Sequence, residues 1–193
     1  MRLVTAFATA VLALAIATTS CRADPPRATL GETPFRTTRT VREVMQSLVA
    51  PSAQGLWESV GTISNAKGTV HLEPRTDEEW AAVRRHGVAL VESTNLLLIP
   101  GRHIAPGNAQ ILRADDADPG AELPPDQIEK RVTELWPVWT AMAHGLHHAA
   151  MNMLTEIDKK DVAGLERTGS DLDAVCENCH LTFWYPPPTK AVK

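Results

Sequence analysis

Two cysteines and a histidine near the end of the chain have the types and the spacing needed to hold a haem. Cys176-Glu177-Asn178-Cys179-His180 is a Cys-x-x-Cys-His sequence, which is the pattern of covalent c-type haem attachment. Two thiols one helical turn apart can form thioethers with the two vinyl groups of a porphyrin, and the next residue then places its imidazole under the iron. The motif predicts one covalent haem c, attached through Cys176 and Cys179, with His180 as the proximal iron ligand.

Three other uses of a Cys-x-x-Cys pair fit this sequence less well. A thioredoxin-like dithiol is set in a βαβ unit, and no strand–helix alternation surrounds Cys176. A zinc site would lack a second cysteine pair. A disulfide across a single helical turn has strained geometry.

The second axial position of the iron has one leading candidate. Met45 lies one turn into the first predicted helix, on a face shared with Val41 and Val49. A thioether is a soft ligand that favours reduced iron, although the residues alone explain Met45 equally well as core packing. The alternatives are Met142, Met151 and Met153.

An arginine and a pair of histidines are further candidates. Arg42, one turn before Met45, is placed to contact a haem propionate, because a guanidinium binds a carboxylate in two-pronged geometry. His144 and His148 form an i, i+4 pair that could bind a surface ion. We expect both imidazoles to face solvent, since they point away from the core side of their helix.

Amphipathic helices are expected to position these residues. Thr40 with Glu43, and Thr76 with Glu79, form capping boxes that predict two helix starts. The first helix should be kinked or restarted at Pro51 and continue to about residue 63, followed by a loop over 65–74. The second should bury Trp80, Val83, Gly87, Leu90, Thr94 and Leu97.

Two further helices complete the pattern. The third runs from about residue 128 to 157, with an apolar stripe from Ile128 to Ile157 that includes Leu135, and with a kink at Pro137. The fourth runs from Val162 to about Trp184. The fourth carries the cysteines and His180 on its buried side. We therefore predict an all-α fold, an antiparallel four-helix bundle over residues 40–186 with the haem-attachment motif near its C-terminal end.

The N-terminal segment indicates export. One arginine followed by an apolar run over residues 3–17 is typical of a secretory signal peptide. We place the signal peptide at 1–23, an extended lead-in at 24–39 and a tail at 187–193. The expected location is the periplasm, without a membrane span. A lipoprotein-type cleavage would instead leave a lipid anchor on Cys21.

Composition excludes several classes of function. The 193-residue chain has a formal net charge of −4, which argues against nucleic acid as a partner. Three cysteines are too few for a disulfide scaffold. Of the few aromatic residues, five are Trp, and runs typical of β-strands are nearly absent.

The chain resembles the class II c-type cytochromes, which include cytochrome c-prime and its low-spin relatives. These carry the haem motif near the C-terminus of a four-helix bundle, followed three residues later by an aromatic residue, here Phe183. Arg42-Glu43-Val44-Met45 resembles their Arg-x-x-Met element. The resemblance implies that Met45 is the distal ligand of a six-coordinate, low-spin haem. Where the family has a basic residue after the Phe, this chain has Trp184.

The resulting expectation is single-electron transfer rather than enzyme catalysis. A haem with both axial positions filled binds substrate poorly and exchanges electrons with redox partner proteins. The alternative is a five-coordinate haem that binds or senses a small gas such as NO or CO. A homodimer is left open.

Overall fold

A computed structural model describes residues 34–105 and 122–185, which are mostly helical with one small two-stranded sheet. The predicted signal peptide, most of the lead-in, residues 106–121 between the second and third predicted helices, and the tail lie outside these ranges. The helices are α1 (Val41–Val44), a π-helical segment (Met45–Val49), α2 (Ala50–Trp57), α3 (Asp77–Leu97), α4 (Pro125–Glu134), α5 (Trp136–Lys159) and α6 (Val162–Phe183). The strands are β1 (Gly61–Asn65) and β2 (Gly68–Leu72).

The first rod, which consists of α1, the π-helical segment and α2, is continuous through Pro51. The Thr40 capping box at its start is confirmed. Proline has no N–H and its ring crowds the preceding turn. The helix therefore forms a wider, π-type turn just before Pro51, in which the Ala50 N–H donates to the Met45 carbonyl, five residues back. Helix geometry is kept on both sides of this wide turn, and the predicted restart is not needed.

The expectation of an all-α fold was wrong for residues 61–72. The first rod ends at Trp57 rather than near residue 63, and β1 pairs antiparallel with β2 in a hairpin. At the turn, the Lys67 N–H donates to Asn65 Oδ1, at 2.8 Å, and Gly68 adopts φ 128°, which favours glycine. This turn chemistry allows a hairpin where a loop was predicted.

The α3 prediction is confirmed at its start and along its buried face. Thr76 and Glu79 form the second capping box. All six residues of the predicted stripe are buried in the core: Trp80, Val83, Gly87, Leu90, Thr94 and Leu97.

The predicted third helix is two helices. The chain breaks at Leu135, which has φ −111° and ψ 31°, and this residue is 39% exposed instead of lying on the apolar stripe. Pro137 stands in the first turn of α5, where its missing N–H is not required and its fixed φ suits a helix start. Pro137, which was predicted to kink one long helix, therefore lies at the start of α5.

Side-chain packing joins the long helices around one core. α5 packs against α3 and α6, and α2 packs against α3 and α6. Between α5 and α6, Lys160 adopts a left-handed conformation and the Asp161 carboxylate accepts from the Gly164 N–H, at 3.0 Å. Leu56, Leu90, Met153, Leu165, Leu172 and Phe183 are among the fully buried side chains. Within the described ranges, the helices are too short or too polar to cross a membrane.

Candidate functional site

The first rod and helices α3, α5 and α6 enclose an apolar cavity of about 800 Å³, including the part open to solvent. The cavity is lined by Met45, Val49, Ala50, Ala53, Gln54, Trp57, Leu97, Trp139, Met142, Ala143, Leu146, Val175, Cys176, Cys179 and His180.

Both cysteines of the motif face this cavity as free, half-buried thiols. Burial raises the pKa of Cys176 to about 11, and the neighbouring Asp173 carboxylate adds to the shift. Burial likewise raises the pKa of Cys179 to about 11, with a further contribution from Cys176. At neutral pH the α6 wall therefore presents two uncharged sulfur atoms one helical turn apart.

His180 lies beside the thiols on the same cavity wall. Burial lowers the pKa of its imidazole, while the carboxylates of Glu177 and Glu122 oppose that shift. Neutral imidazole is the form that binds metal ions. The ring of Trp184 lies at a centroid distance of 5.8 Å and is inclined by 60° to the His180 ring.

Two of the four candidate methionines line the cavity. Met45, the first residue of the π-helical segment, and Met142, on α5, both line it. Met153 is fully buried in the core but does not line this cavity, and Met151 is 41% exposed. The thioethers that line the same cavity as the motif are those of Met45 and Met142.

Arg42 lies in a second hollow of about 510 Å³, with Gln46, Glu122 and Trp184 among its lining residues. It is one turn from Met45 on the first rod, yet it does not line the apolar cavity. Its predicted contact with a propionate stays a prediction.

The paired histidines of α5 are exposed, as predicted. Between them, the half-buried His147 hydrogen-bonds through Nδ1 to Thr94 Oγ1, at 2.9 Å. Across residues 34–105 and 122–185, no group of three or more His, Cys, Asp or Glu side chains is arranged to hold a metal ion.

Sequence reasoning missed the tryptophans around the cavity. The Trp57 Nε1–H donates to the Gly169 carbonyl, at 3.1 Å, which ties α2 to α6. The Trp139 Nε1–H donates to the Leu97 carbonyl, at 2.8 Å, which ties α5 to the end of α3. The unusual share of Trp among the aromatics was the available signal, but it does not say where the rings lie.

Gly169 lies where α2 meets α6. A Cβ added there would lie 3.5 Å from Trp57 Cδ1, which is an ordinary van der Waals distance. The Trp57 indole therefore packs directly on this part of α6.

The residues present fit a c-type haem. Two uncharged thiols, a neutral imidazole and a thioether face an apolar space, and the chemistry of this set matches covalent attachment and axial ligation of a porphyrin iron.

Comparisons with protein-family models, with characterised proteins and with solved structures give no match for this chain.

Proposed function

We propose that this chain is a c-type cytochrome that transfers single electrons through one covalently attached haem. The observation that carries the proposal is the convergence of four residues on one cavity: Met45 from the first rod, and Cys176, Cys179 and His180 from α6. They are about 130 residues apart in the chain, so the spacing of the motif alone does not bring Met45 to them.

The architecture that we propose is an antiparallel four-helix bundle built from the first rod, α3, α5 and α6. Each of these elements packs against two others in the order first rod, α3, α5, α6 and back to the first rod. This closed order is what a four-helix bundle requires. The hairpin and α4 are additions to it.

Each residue of the site has a separate task in this proposal. The thiols of Cys176 and Cys179 would hold the haem covalently, with each S–H adding across a vinyl C=C bond so that nothing is released. His180 and Met45 would supply a nitrogen and a sulfur ligand. When bound, the haem would supply an iron that takes up and gives off single electrons.

The apolar wall has an energetic role. Side chains such as Leu146 and Trp139 form an apolar wall, and an apolar surrounding would disfavour the extra positive charge of an oxidised iron centre. Together with a thioether ligand, this favours the reduced state and a higher potential.

Cellular context belongs to the same proposal. The segment 1–23 would direct export to the periplasm, with the lipid anchor on Cys21 as the alternative, and the partners would be redox proteins. The resemblance to low-spin class II c-type cytochromes points the same way. The chain then needs no catalytic residues of its own.

Spectroscopy of a matched methionine pair tests the proposal. The full chain is produced in cells that attach haem c, alongside Met45→Leu and Met142→Leu, which conserve volume. We expect the wild-type mass to exceed the polypeptide mass by one haem and the ferric spectrum to be low-spin with a Met–iron charge-transfer band. Met45→Leu should lose that band and become high-spin, and Met142→Leu should keep it.

Other outcomes decide between alternatives. Loss of the band in Met142→Leu alone would move the ligand to α5. A wild-type protein that is high-spin and changes its spectrum with carbon monoxide would favour the gas-binding haem protein. Colourless protein with the mass of bare polypeptide would remove the haem proposal.

A further inference from the structure

We propose that Trp184 fixes the rotational orientation of the His180 imidazole and so acts as a positioning residue for the iron ligand. The inference rests on the proposed function, and it concerns a residue at which this chain departs from the family that it resembles. It is carried by the geometry of three rings at the C-terminal end of α6.

A histidine that ligates a metal is usually oriented by a hydrogen bond from its second ring nitrogen to a carboxylate, a carbonyl or water. Among the described residues, the His180 side chain makes no such hydrogen bond. Its ring neighbour is Trp184, at 5.8 Å between centroids and 60° between planes. This edge contact limits rotation of the imidazole about its Cβ–Cγ bond.

Trp184 can serve as a fixed support because its own position is determined by several contacts. The Trp184 backbone N–H donates to the His180 carbonyl, at 2.8 Å, and the Trp184 carbonyl accepts from the Leu123 backbone N–H, at 2.7 Å. Its indole stacks on Trp139 at 6.3 Å and 22°. None of these contacts involves a haem, so the support is present in the polypeptide itself.

Trp139 in turn is anchored in the core. It is 2% exposed, its Nε1–H is bonded to the Leu97 carbonyl, and its ring meets the edge of Phe183 at 5.2 Å. The path from the core to the ligand therefore runs through two indoles to the imidazole, and each contact in it is short-ranged and directional.

The orientation of an axial imidazole plane has a measurable consequence. Its π orbital overlaps with different iron d orbitals as the plane rotates, which changes the g values of ferric low-spin iron and its potential. A single fixed orientation gives one sharp set of g values, whereas a freely rotating ring gives a broadened or shifted set.

The test compares Trp184→Leu and Trp184→Phe with the matched control Trp80→Leu in the haem-loaded full chain. Trp80 is a buried tryptophan in the first turn of α3, and it is not the tryptophan whose ring contacts the His180 ring. The readouts are ferric electron paramagnetic resonance, the midpoint potential and the melting temperature.

We expect Trp184→Leu to broaden or shift the g values and to shift the potential. Trp184→Phe should keep the wild-type g values and potential, because it retains an aromatic edge. Trp80→Leu should lower the melting temperature with unchanged g values. If Trp184→Leu fails to retain haem, altered g values in Trp184→Phe would overturn the inference, and wild-type values would support it.

The two proposals fail in different ways. A wild-type chain without low-spin haem would overturn the proposed function and this inference with it. A wild-type chain with the expected spectrum, together with unchanged g values in Trp184→Leu or an equal change in Trp80→Leu, would overturn the inference alone.

Discussion

Single residues at the start of the first rod hold the helix that presents Met45. Thr40 Oγ1 accepts from the Glu43 N–H, and Glu43 Oε2 accepts from the Thr40 N–H, at 2.9 Å. Both bonds satisfy backbone groups that a helix start would otherwise leave unpaired. Because Met45 follows two residues later, fraying at this end would move the thioether away from the cavity.

The Glu43 carboxylate predicts a pH dependence of stability. The Thr40 backbone hydrogen bond, followed by the bond from its side chain, holds the pKa of Glu43 below its usual 4.5. A lowered pKa in the folded state stabilises the protein above the unfolded-state pKa, and that stabilisation is lost as the pH falls through the folded-state pKa. The free energy of unfolding of wild type minus that of Glu43→Gln should therefore be larger at about pH 7 than at about pH 3.

Urea unfolding at the two pH values measures this difference. Glu79→Gln, in the second capping box, should change with the same sign, because the Arg75 and Thr76 backbone N–H groups lower the pKa of Glu79. A difference between wild type and Glu43→Gln that does not vary with pH would contradict the role assigned to the carboxylate.

The grouping of the motif residues on one wall was predictable, because a Cys-x-x-Cys-His sequence on a helix places the three side chains at neighbouring positions of one face. The spacing of Cys176, Cys179 and His180 specifies a helical turn, and the structure places all three on one cavity wall. The contact between Trp184 and His180 was not predictable, because it depends on how α6 ends and on a hydrogen-bond partner, Leu123, that lies far away in the chain.

At the scale of elements, the wide turn before Pro51 changes which side chains the first rod presents. The π-helical segment inserts one additional residue into the turn, so the faces of α1 and α2 are rotated relative to those of an uninterrupted α-helix. Met45 and Val49, on one side of Pro51, and Ala53 and Trp57, on the other, all line the cavity.

A glycine of α2 lies directly against a side chain of α3. A Cβ added at Gly55 would lie 2.6 Å from three atoms of the His86 ring. Gly145, in the middle of α5, is the matched control, because its added Cβ would approach nothing closer than Val175 Cγ1, at 3.9 Å. We expect Gly145→Ala to stabilise the protein by about 0.4–1 kcal/mol through helix propensity and chain entropy.

Gly55→Ala should instead lower the free energy of unfolding by about 1–3 kcal/mol, because the added methyl group overpacks against His86. Thermal and urea unfolding of the two variants provide the measurement. Equal stabilisation by both substitutions would show that the His86 ring moves aside freely and that the helices do not rely on this close approach.

Elements with a regular apolar period were predictable, and their interruptions were not. α3 and α6 follow their stripes from one end to the other, whereas the Ile128 to Ile157 stripe continues in sequence across the break at Leu135. Because the apolar residues keep their spacing of three and four on both sides of Leu135, that spacing does not reveal the break. Pro137 marked the position, but a proline suits a helix start as well as a kink.

At the scale of the whole described structure, the packing of the long helices leaves a space lined by the Cys-x-x-Cys-His motif. Small residues from two elements, Ala53 of α2 and Ala143 of α5, are buried against the rest of the protein and also line the cavity. Larger side chains there would close the space. If the cavity holds a cofactor, these alanines reflect a compromise in which haem-free stability is reduced to leave room for it.

Filling the cavity distinguishes a cofactor site from an accidental void. Ala143→Leu adds three carbon atoms that the cavity can accommodate, so the haem-free chain should gain about 1–2 kcal/mol of unfolding free energy. The same substitution should reduce the amount of haem per polypeptide when the chain is produced in cells that attach haem, because the leucine occupies the space. Urea unfolding of haem-free protein and the absorbance ratio of loaded protein are the two measurements.

Ala149→Leu is the control, since Ala149 is also a buried alanine of α5 but does not line the cavity. Overpacking there should cost about 1–3 kcal/mol in the haem-free chain and should leave the haem content of the folded, loaded protein unchanged. If Ala143→Leu destabilised the haem-free chain as much as Ala149→Leu, the wall around Ala143 would be closely packed in solution. The apolar space could not then be the haem site, and the convergence of Met45 with the motif would need another explanation.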